Sequence, residues 1–114
     1  MLIYCKTCRE KRDYKEIDNK KNNKITGDSH IILENATSAE LHDNAHGILL
    51  NNIYAKLYNN SYAILYRESF VELSHNSSAE LYNHSFAELY DDSSAELKEY
   101  KSVKLYNNSY IKKE

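Results

Sequence analysis

The sequence predicts an all-β fold of stacked octapeptide repeats, a β-solenoid, on three observations. Leucine recurs at every eighth residue from Leu33 to Leu105 without a slip. Within the first six positions of an octad, such as residues 85–90 (SFAELY), Ser, Ala and Leu alternate with aromatic or charged residues. Period-two alternation is typical of a strand with one buried face, and the Asn and Asp residues that end each octad favour turns. Each octad is therefore predicted to be a short strand followed by a corner.

Octad positions are numbered here so that leucine occupies position five. Positions one, three and five, with the consensus Ser, Ala and Leu, are expected to face the core, and positions two, four and six to face outward. The serines at position one are expected to be small corner residues that bond the backbone. A helix does not fit, because at about 100° per residue an eight-residue period would drift the leucine by about 80° per repeat.

Two octads are predicted to make one coil. Isoleucine occupies position four at Ile32, Ile48 and Ile64, sixteen residues apart, and aromatic residues show the same spacing at position two. A sixteen-residue similarity implies one parallel sheet of odd octads and one of even octads. Ten octads then give about five coils, and at a strand spacing of about 4.8 Å the rod is about 24 Å long.

The chain is predicted to divide into a head of residues 1–28 and a repeat region of residues 29–114. The head carries eight Lys and Arg against five Asp and Glu, a charge of +3, whereas residues 29–110 carry five against eleven, a charge of −6. The last four residues add two lysines and one glutamate, which restores the total of −2. A basic head is therefore expected on an acidic rod.

Composition narrows the class of protein. No apolar run is long enough for a membrane span or a signal peptide, and only two cysteines occur, so a cytoplasmic protein without membrane contact is expected. No set of residues specifies a catalytic site, so an enzyme is not expected. The glutamates at position four form a surface row rather than a pocket.

The head contains one metal-binding motif. Cys5-Lys6-Thr7-Cys8 resembles the first knuckle of a zinc ribbon, a family in which two CxxC knuckles supply four thiolates. The resemblance implies a second knuckle near residues 26–30, where this chain has no cysteine. Either Asp28 and His30 complete a zinc site with Cys5 and Cys8, or a partner chain supplies a second CxxC. The alternative is a metal-free hairpin that caps the first coil.

The repeat surface has one pattern of histidines and one pattern of aromatic residues. His30 and His46 are expected to stack at position two as solvent-facing members of a ladder, and the alternative is a stacked surface pair that binds a metal. Aromatic side chains at positions two and six, beside glutamates at position four, predict a protein-binding face over both flats of the solenoid. This face comprises Tyr54, Tyr58, Tyr62, Tyr66, Phe70, Glu72, Glu80, Tyr82, Phe86, Glu88 and Tyr90.

The last coil is expected to be exposed at its open end. Uncapped solenoids leave backbone groups and apolar surface accessible, so pairing of two chains end to end is predicted. The residues expected in this homodimer contact are Leu105, Tyr106, Tyr110 and Ile111.

The Asn-Ser-x-Ala-x-Leu-Tyr octads resemble octapeptide repeats in small, mostly uncharacterised proteins of phages and prophages, over about 80 residues. That resemblance implies an inhibitor, such as an anti-CRISPR protein, that docks an aromatic and acidic face on a host defence complex, for example a nuclease, in the bacterial cytoplasm. Full DNA mimicry is not expected, because about 24 Å of duplex carries roughly fourteen negative charges. Residues 29–110 have a net charge of only −6. The alternatives are a zinc-headed nucleic-acid-binding protein, with the solenoid as spacer or dimerisation module, and a structural rod.

The inward and outward assignment predicts mutational effects. Leu73→Ala or Leu81→Ala should cost about 2 to 5 kcal/mol through the cavity left behind. Glu80→Ala should be nearly neutral for folding.

Overall fold

A computed structural model describes residues 2–18, 23–34, 38–82, 84–97 and 102–112. These residues form short strands joined by tight corners. No helix that could cross a membrane occurs in the described part of the chain. The strands are β1 (Leu2–Cys5), β2 (Glu10–Asp13), β3 (Lys15–Asp18), β4 (Asn23–Ile25), β5 (His30–Glu34), β6 (Ser38–Leu41), β7 (His46–Leu49), β8 (Tyr54–Leu57), β9 (Tyr62–Leu65), β10 (Phe70–Leu73), β11 (Ser78–Leu81), β12 (Phe86–Leu89), β13 (Ser94–Leu97), β14 (Ser102–Leu105) and β15 (Tyr110–Lys112).

The strands confirm a β-solenoid with two octads per coil. Odd strands from β3 to β15 form a seven-stranded parallel sheet, and even strands from β4 to β14 form a six-stranded parallel sheet. Neighbouring strands are offset by sixteen residues, so that Leu33 pairs with Leu49 and Leu49 with Leu65. The octads from β5 to β14 make five coils, as predicted. The hairpin of β1 and β2 is antiparallel and separate from both sheets.

The parallel sheets begin earlier than the predicted boundary between residues 28 and 29. Strand β3 pairs with β5, and β4 pairs with β6, which places Ile17 beside Leu33 and Ile25 beside Leu41. Ile17 and Ile25 continue the eight-residue period with isoleucine in place of leucine. Within the described residues, only the β1–β2 hairpin and the residue that follows it, Tyr14, therefore stand apart from the coils.

The inward and outward assignment of the octad positions is confirmed for the core. The leucines of β5 to β12 have no exposed surface, and the alanines and Val71 at position three are buried with them. Serines at position one are buried at the corners, where Ser61 and Ser77 donate hydrogen bonds to the carbonyl oxygens of Tyr58 and Ser74 at 2.7 Å. These contacts are the backbone bonds expected of small corner residues.

One corner row is tied together along the solenoid by side chains at position seven. These residues have the left-handed conformation, with φ of 60° at Asp43, 59° at Asn59 and 61° at His75. Each accepts a hydrogen bond from the backbone N–H of the residue sixteen positions earlier; the Asn59 Oδ1 atom, for instance, accepts from Asp43 at 3.0 Å. The same bond recurs from Asn59 to His75 Nδ1 and from His75 to the Asp91 carboxylate, both at 3.0 Å. Each corner therefore stabilises its neighbour.

We expect Asn59→Ala to destabilise the protein by about 1 to 3 kcal/mol, because it removes one corner hydrogen bond and the short polar side chain that makes the left-handed conformation accessible to Asn. Asn59→Gly keeps the backbone relaxed and should cost only the hydrogen bond. Urea unfolding measures both, with Asn60→Ala at the adjacent exposed position as the matched control. Equal stability of Asn59→Ala and the control would contradict the role of the ladder.

Candidate metal centre

The CxxC segment forms a tight turn between β1 and β2, called the knuckle turn here (residues 6–9). The Cys8 N–H donates to the Cys5 Sγ atom at 3.4 Å, and the Arg9 N–H donates to the Cys5 carbonyl oxygen at 2.7 Å. Arg9 closes the turn with a φ of 61°. This geometry brings the two sulfur atoms to the same side of the turn.

The knuckle turn lies on the outer face of the seven-stranded sheet, over two stacked histidines. His30 begins β5 and His46 begins β7, and their rings stack at 4.4 Å with an interplanar angle of 14°. The Thr7 Oγ1 atom is 2.6 Å from His46 Nε2, and the Cys8 Sγ atom is 3.4 Å from His30 Nε2. The predicted stack is present. The expectation that it faces solvent was wrong, since His30 is 6% and His46 7% exposed.

Cys5, Cys8, His30 and His46 therefore form one group, the metal cluster. Their ligand atoms all lie within 4.8 Å of one another, so together they could hold a metal ion. Three of the four predicted ligands are in this group, and His46 joins them where Asp28 was predicted. Asp28 lies in the turn before β5, and its backbone carbonyl oxygen is 2.9 Å from His30 Nδ1.

The protonation states suit a cation. Burial raises the pKa of the Cys5 thiol, but hydrogen bonds from Thr7, the Cys8 backbone and Tyr14 outweigh it and lower the pKa to about 6. Burial and the adjacent Cys5 raise the pKa of Cys8, since a second negative charge is disfavoured without a counter-ion. Burial, then the neighbouring His30, lowers the pKa of His46 to about 4. Thiolate and neutral imidazole are the forms that bind metals.

Tyr14 closes the cluster from the side of the hairpin. Its side chain is buried, and its ring meets His30 edge to face at a centroid distance of 5.1 Å. Burial and the hydrogen bond to Cys5 raise the pKa of Tyr14, so its hydroxyl stays protonated as a donor. Tyr14 therefore shields the sulfur atoms from water while stabilising the Cys5 thiolate.

No protein-family model, curated protein or solved structure matches this chain. The metal cluster and the outer faces of the solenoid are therefore the basis for a functional proposal.

The head also makes an ionic contact farther along the seven-stranded sheet. Lys6 Nζ lies 3.3 Å from a carboxylate oxygen of Glu80, which also accepts hydrogen bonds from the hydroxyls of Tyr62 and Tyr82. Glu80 is only 4% exposed. The expectations that Glu80 belongs to an accessible face and that Glu80→Ala is nearly neutral do not fit this burial, because the head covers it.

We expect Glu80→Gln to destabilise the protein by about 1 to 3 kcal/mol at neutral pH, through loss of charged hydrogen bonds. Burial alone would raise the pKa of Glu80, but the hydrogen bonds from Tyr62 and Lys6 and the Lys6 charge outweigh it and lower the pKa. The stabilisation by the ionised form is therefore lost as the pH falls through the folded-state pKa. Unfolding from pH 7 to pH 3 should show the difference between wild type and variant shrinking with acid.

The matched control for that series is Glu40→Gln. Glu40 occupies the same octad position on the six-stranded sheet, with its side chain 51% exposed beside His42. Exposed ion pairs contribute little, so the control should change stability by less than about 1 kcal/mol throughout. A pH-independent difference for Glu80→Gln would contradict the assigned charge state.

The residues of the predicted binding face divide between two sheets. Tyr54, Phe70 and Phe86 stack on the six-stranded sheet at centroid distances of 5.3 and 5.0 Å. Tyr62 lies on the seven-stranded sheet beside the head. Along the two corner rows, ring stacking joins Tyr66 to Tyr82 at 4.9 Å and Tyr90 to Tyr106 at 4.8 Å, and it also joins Tyr58 to His42 at 4.6 Å.

The residues of the predicted dimer contact are exposed at the end of the described solenoid. Their exposed fractions are 47% for Leu105, 43% for Tyr106, 53% for Tyr110 and 38% for Ile111. All the octad leucines from Leu33 to Leu89 are fully buried, so Leu105 marks the open face of the described stack. Pairing of two chains through this face stays a prediction.

Proposed function

We propose that the metal cluster holds a structural zinc ion and that the protein is a non-enzymatic, protein-binding repeat protein. The observation that carries the zinc assignment is the close approach of two thiols and two imidazoles in one largely buried group. Two sulfur and two nitrogen ligands are a preferred set for Zn²⁺. Four protein ligands leave no open position, so the ion would fasten the head to β5 and β7 rather than catalyse a reaction.

The ligand atom of each histidine follows from its other hydrogen bond. His30 Nδ1 is within bonding distance of the Asp28 carbonyl oxygen, which accepts only, so Nδ1 carries the proton and Nε2 is the ligand atom. Cys5, as a thiolate, accepts from the Thr7 hydroxyl, so Thr7 in turn accepts from His46 Nε2–H. His46 Nδ1 is then a lone-pair donor, and it is buried without a hydrogen-bond partner among the described residues.

The protein-binding part of the proposal rests on the outer face of the six-stranded sheet, opposite the head. The stack of Tyr54, Phe70 and Phe86 offers a row of partly exposed rings, which are frequent in interface cores. The row at position four on this sheet has three lysines and three glutamates, so it is not the acidic row that was predicted. Its members in order are Lys24, Glu40, Lys56, Glu72, Glu88 and Lys104.

The partner class we propose is the one implied by the octad resemblance, a host defence protein complex such as a nuclease. Nucleic-acid binding by the head is the weaker candidate, because two of its basic side chains are used within the chain. Lys6 pairs with Glu80 at 3.3 Å, and Arg12 pairs with Glu10 at 2.8 Å.

Zinc and mass should be measured on the same chromatographic peak. We expect one zinc ion per chain by elemental analysis after size-exclusion chromatography with light scattering. Metal-free protein in which the head remains ordered by NMR would overturn the zinc assignment. The mass also tests the predicted homodimer, since a monomer at all concentrations would contradict pairing through the last coil.

The binding face is tested with Phe70→Ser and Phe86→Ser against purified host defence complexes. Serine occupies the same octad position in β11 and β13, so these substitutions suit the fold. We expect both to lose binding that the wild type shows. Tyr66→Ser is the matched control, because Ser74 occupies the same position and Tyr66 lies on the corner row that follows the seven-stranded sheet. Equal loss in the control would contradict the face.

A further inference from the structure

A cleft of about 320 Å³ lies on the outer face of the seven-stranded sheet, beside the knuckle turn. It occurs because the row of rings at position two is interrupted. The register runs from Tyr62 through Ser78 and Ser94 to Tyr110, so two serines separate two aromatic rings. The missing rings leave a slot with an aromatic side chain at each end and a floor of small residues.

The other walls of the cleft are charged. Glu80 and Glu96 line it from position four, and Lys6 lines it from the knuckle turn, so the described lining has two carboxylates against one ammonium group. Glu80 is buried and already bonded to Lys6, Tyr62 and Tyr82. Glu96 is only partly buried, so an incoming group can reach its carboxylate, which has several lone pairs to share. The cleft therefore favours a positively charged occupant.

We propose that this cleft binds an arginine side chain presented by a partner protein, a proposal that rests on the protein-binding function above. A guanidinium group is planar and takes the place of the missing ring next to Tyr62 or next to Tyr110, with cation–π attraction to that one ring. Its N–H groups donate to the Glu96 carboxylate. A lysine ammonium is a point charge that cannot stack flat on a tyrosine ring as a guanidinium does, and an anion would meet the two glutamates.

The cleft is tested directly with a small probe, so that the result does not depend on finding the partner. The ¹⁵N-labelled protein, as purified, is titrated with N-acetyl-arginine methylamide and followed by NMR. We expect saturable millimolar binding with shifts confined to amides near Ser78 and Ser94. The citrulline analogue, which has the same shape without the charge, should bind at least fivefold more weakly. Equal binding of the two probes, or no saturable shift with arginine, would overturn the proposal.

Two variants locate the site. Ser94→Phe restores a ring in the row, as Phe70 and Phe86 do on the other sheet, and should abolish arginine binding. Glu96→Gln should weaken it at least threefold while the probe's shape still fits. Ser38→Phe, at the same octad position on the six-stranded sheet, is the matched control and should bind as the wild type. Unchanged binding in Ser94→Phe would place the arginine elsewhere.

The arginine-binding proposal and the proposed function can fail independently of each other. Loss of zinc binding or of partner capture in the experiments above would remove the proposed function while leaving the arginine titration interpretable. Conversely, a zinc-loaded protein that captures its partner through Phe70 and Phe86 but ignores the arginine probe would remove only this inference.

Discussion

Replacing His46 with alanine is expected to abolish stoichiometric zinc binding, whereas Asp28→Ala should retain one zinc ion per chain. In one of the two zinc sites that the sequence allowed, the Asp28 carboxylate was the fourth ligand, but the structure places His46 in the cluster. Asp28 holds His30 through its backbone carbonyl oxygen, which alanine preserves. The two substitutions therefore give opposite results under the two ligand sets.

The fall in zinc affinity in His46→Ala should exceed roughly 100-fold. Altering a residue that only hydrogen-bonds to a ligand typically lowers metal affinity by roughly 10- to 100-fold. Thr7→Val, which removes the hydroxyl between Cys5 and His46, should fall within that range. Cobalt substitution supplies a direct readout, because tetrahedral coordination with thiolate ligands gives intense visible absorption. Retention of this spectrum in His46→Ala, together with its loss in Asp28→Ala, would restore the Asp28 ligand set.

Zinc loss should also release the head without unfolding the coils. The described head contacts the seven-stranded sheet through the cluster, Tyr14 and the Lys6–Glu80 pair. Hydrogen exchange on chelator treatment should rise at residues 2–13 and stay low in β9 to β12, where each strand has a parallel neighbour on both sides. Exchange that rises equally in both regions would mean that the metal supports the whole solenoid.

The periodic part of the fold could be predicted from the sequence because each octad repeats the same local chemistry. Leucine spacing gave the core, and the sixteen-residue similarity at Ile32, Ile48 and Ile64 gave the number of octads per coil. The same rule extended to Ile17 and Ile25 would have placed β3 and β4 in the sheets. That signal was present but was masked by the change from leucine to isoleucine.

The position of the head could not be predicted in the same way. Its contacts join residues 39 and 74 positions apart, from Thr7 to His46 and from Lys6 to Glu80, and they follow no period. The stacked pair of His30 and His46 was the available signal for the fourth ligand. The sequence does not show that the knuckle turn lies on this sheet. On sequence alone, stacked imidazoles at an outward position are therefore expected to face solvent. Burial by a non-repeating segment therefore decided the site.

In a single chain, Leu81→Ala is expected to cost about 2 to 5 kcal/mol, and Leu105→Ala much less, about 1 kcal/mol. Both residues occupy position five of an octad, but Leu81 has no exposed surface whereas Leu105 is 47% exposed. Truncating Leu81 leaves a cavity between coils on both sides. Truncating Leu105 leaves a gap that water fills. Guanidinium unfolding of the two variants compares one chemical change at two depths in the stack.

The same pair of variants tests whether the last coil is covered in solution. Glu72→Ala on the outer face is the matched surface control, and it should cost under about 1 kcal/mol because its hydrogen bond with the Tyr54 hydroxyl is exposed. If Leu105→Ala instead costs as much as Leu81→Ala, Leu105 must be buried by something other than the described residues of its own chain. Dependence of its unfolding midpoint on protein concentration would then identify a second copy as that cover, since dissociation is coupled to unfolding. A small, concentration-independent cost would show the open end of a monomer.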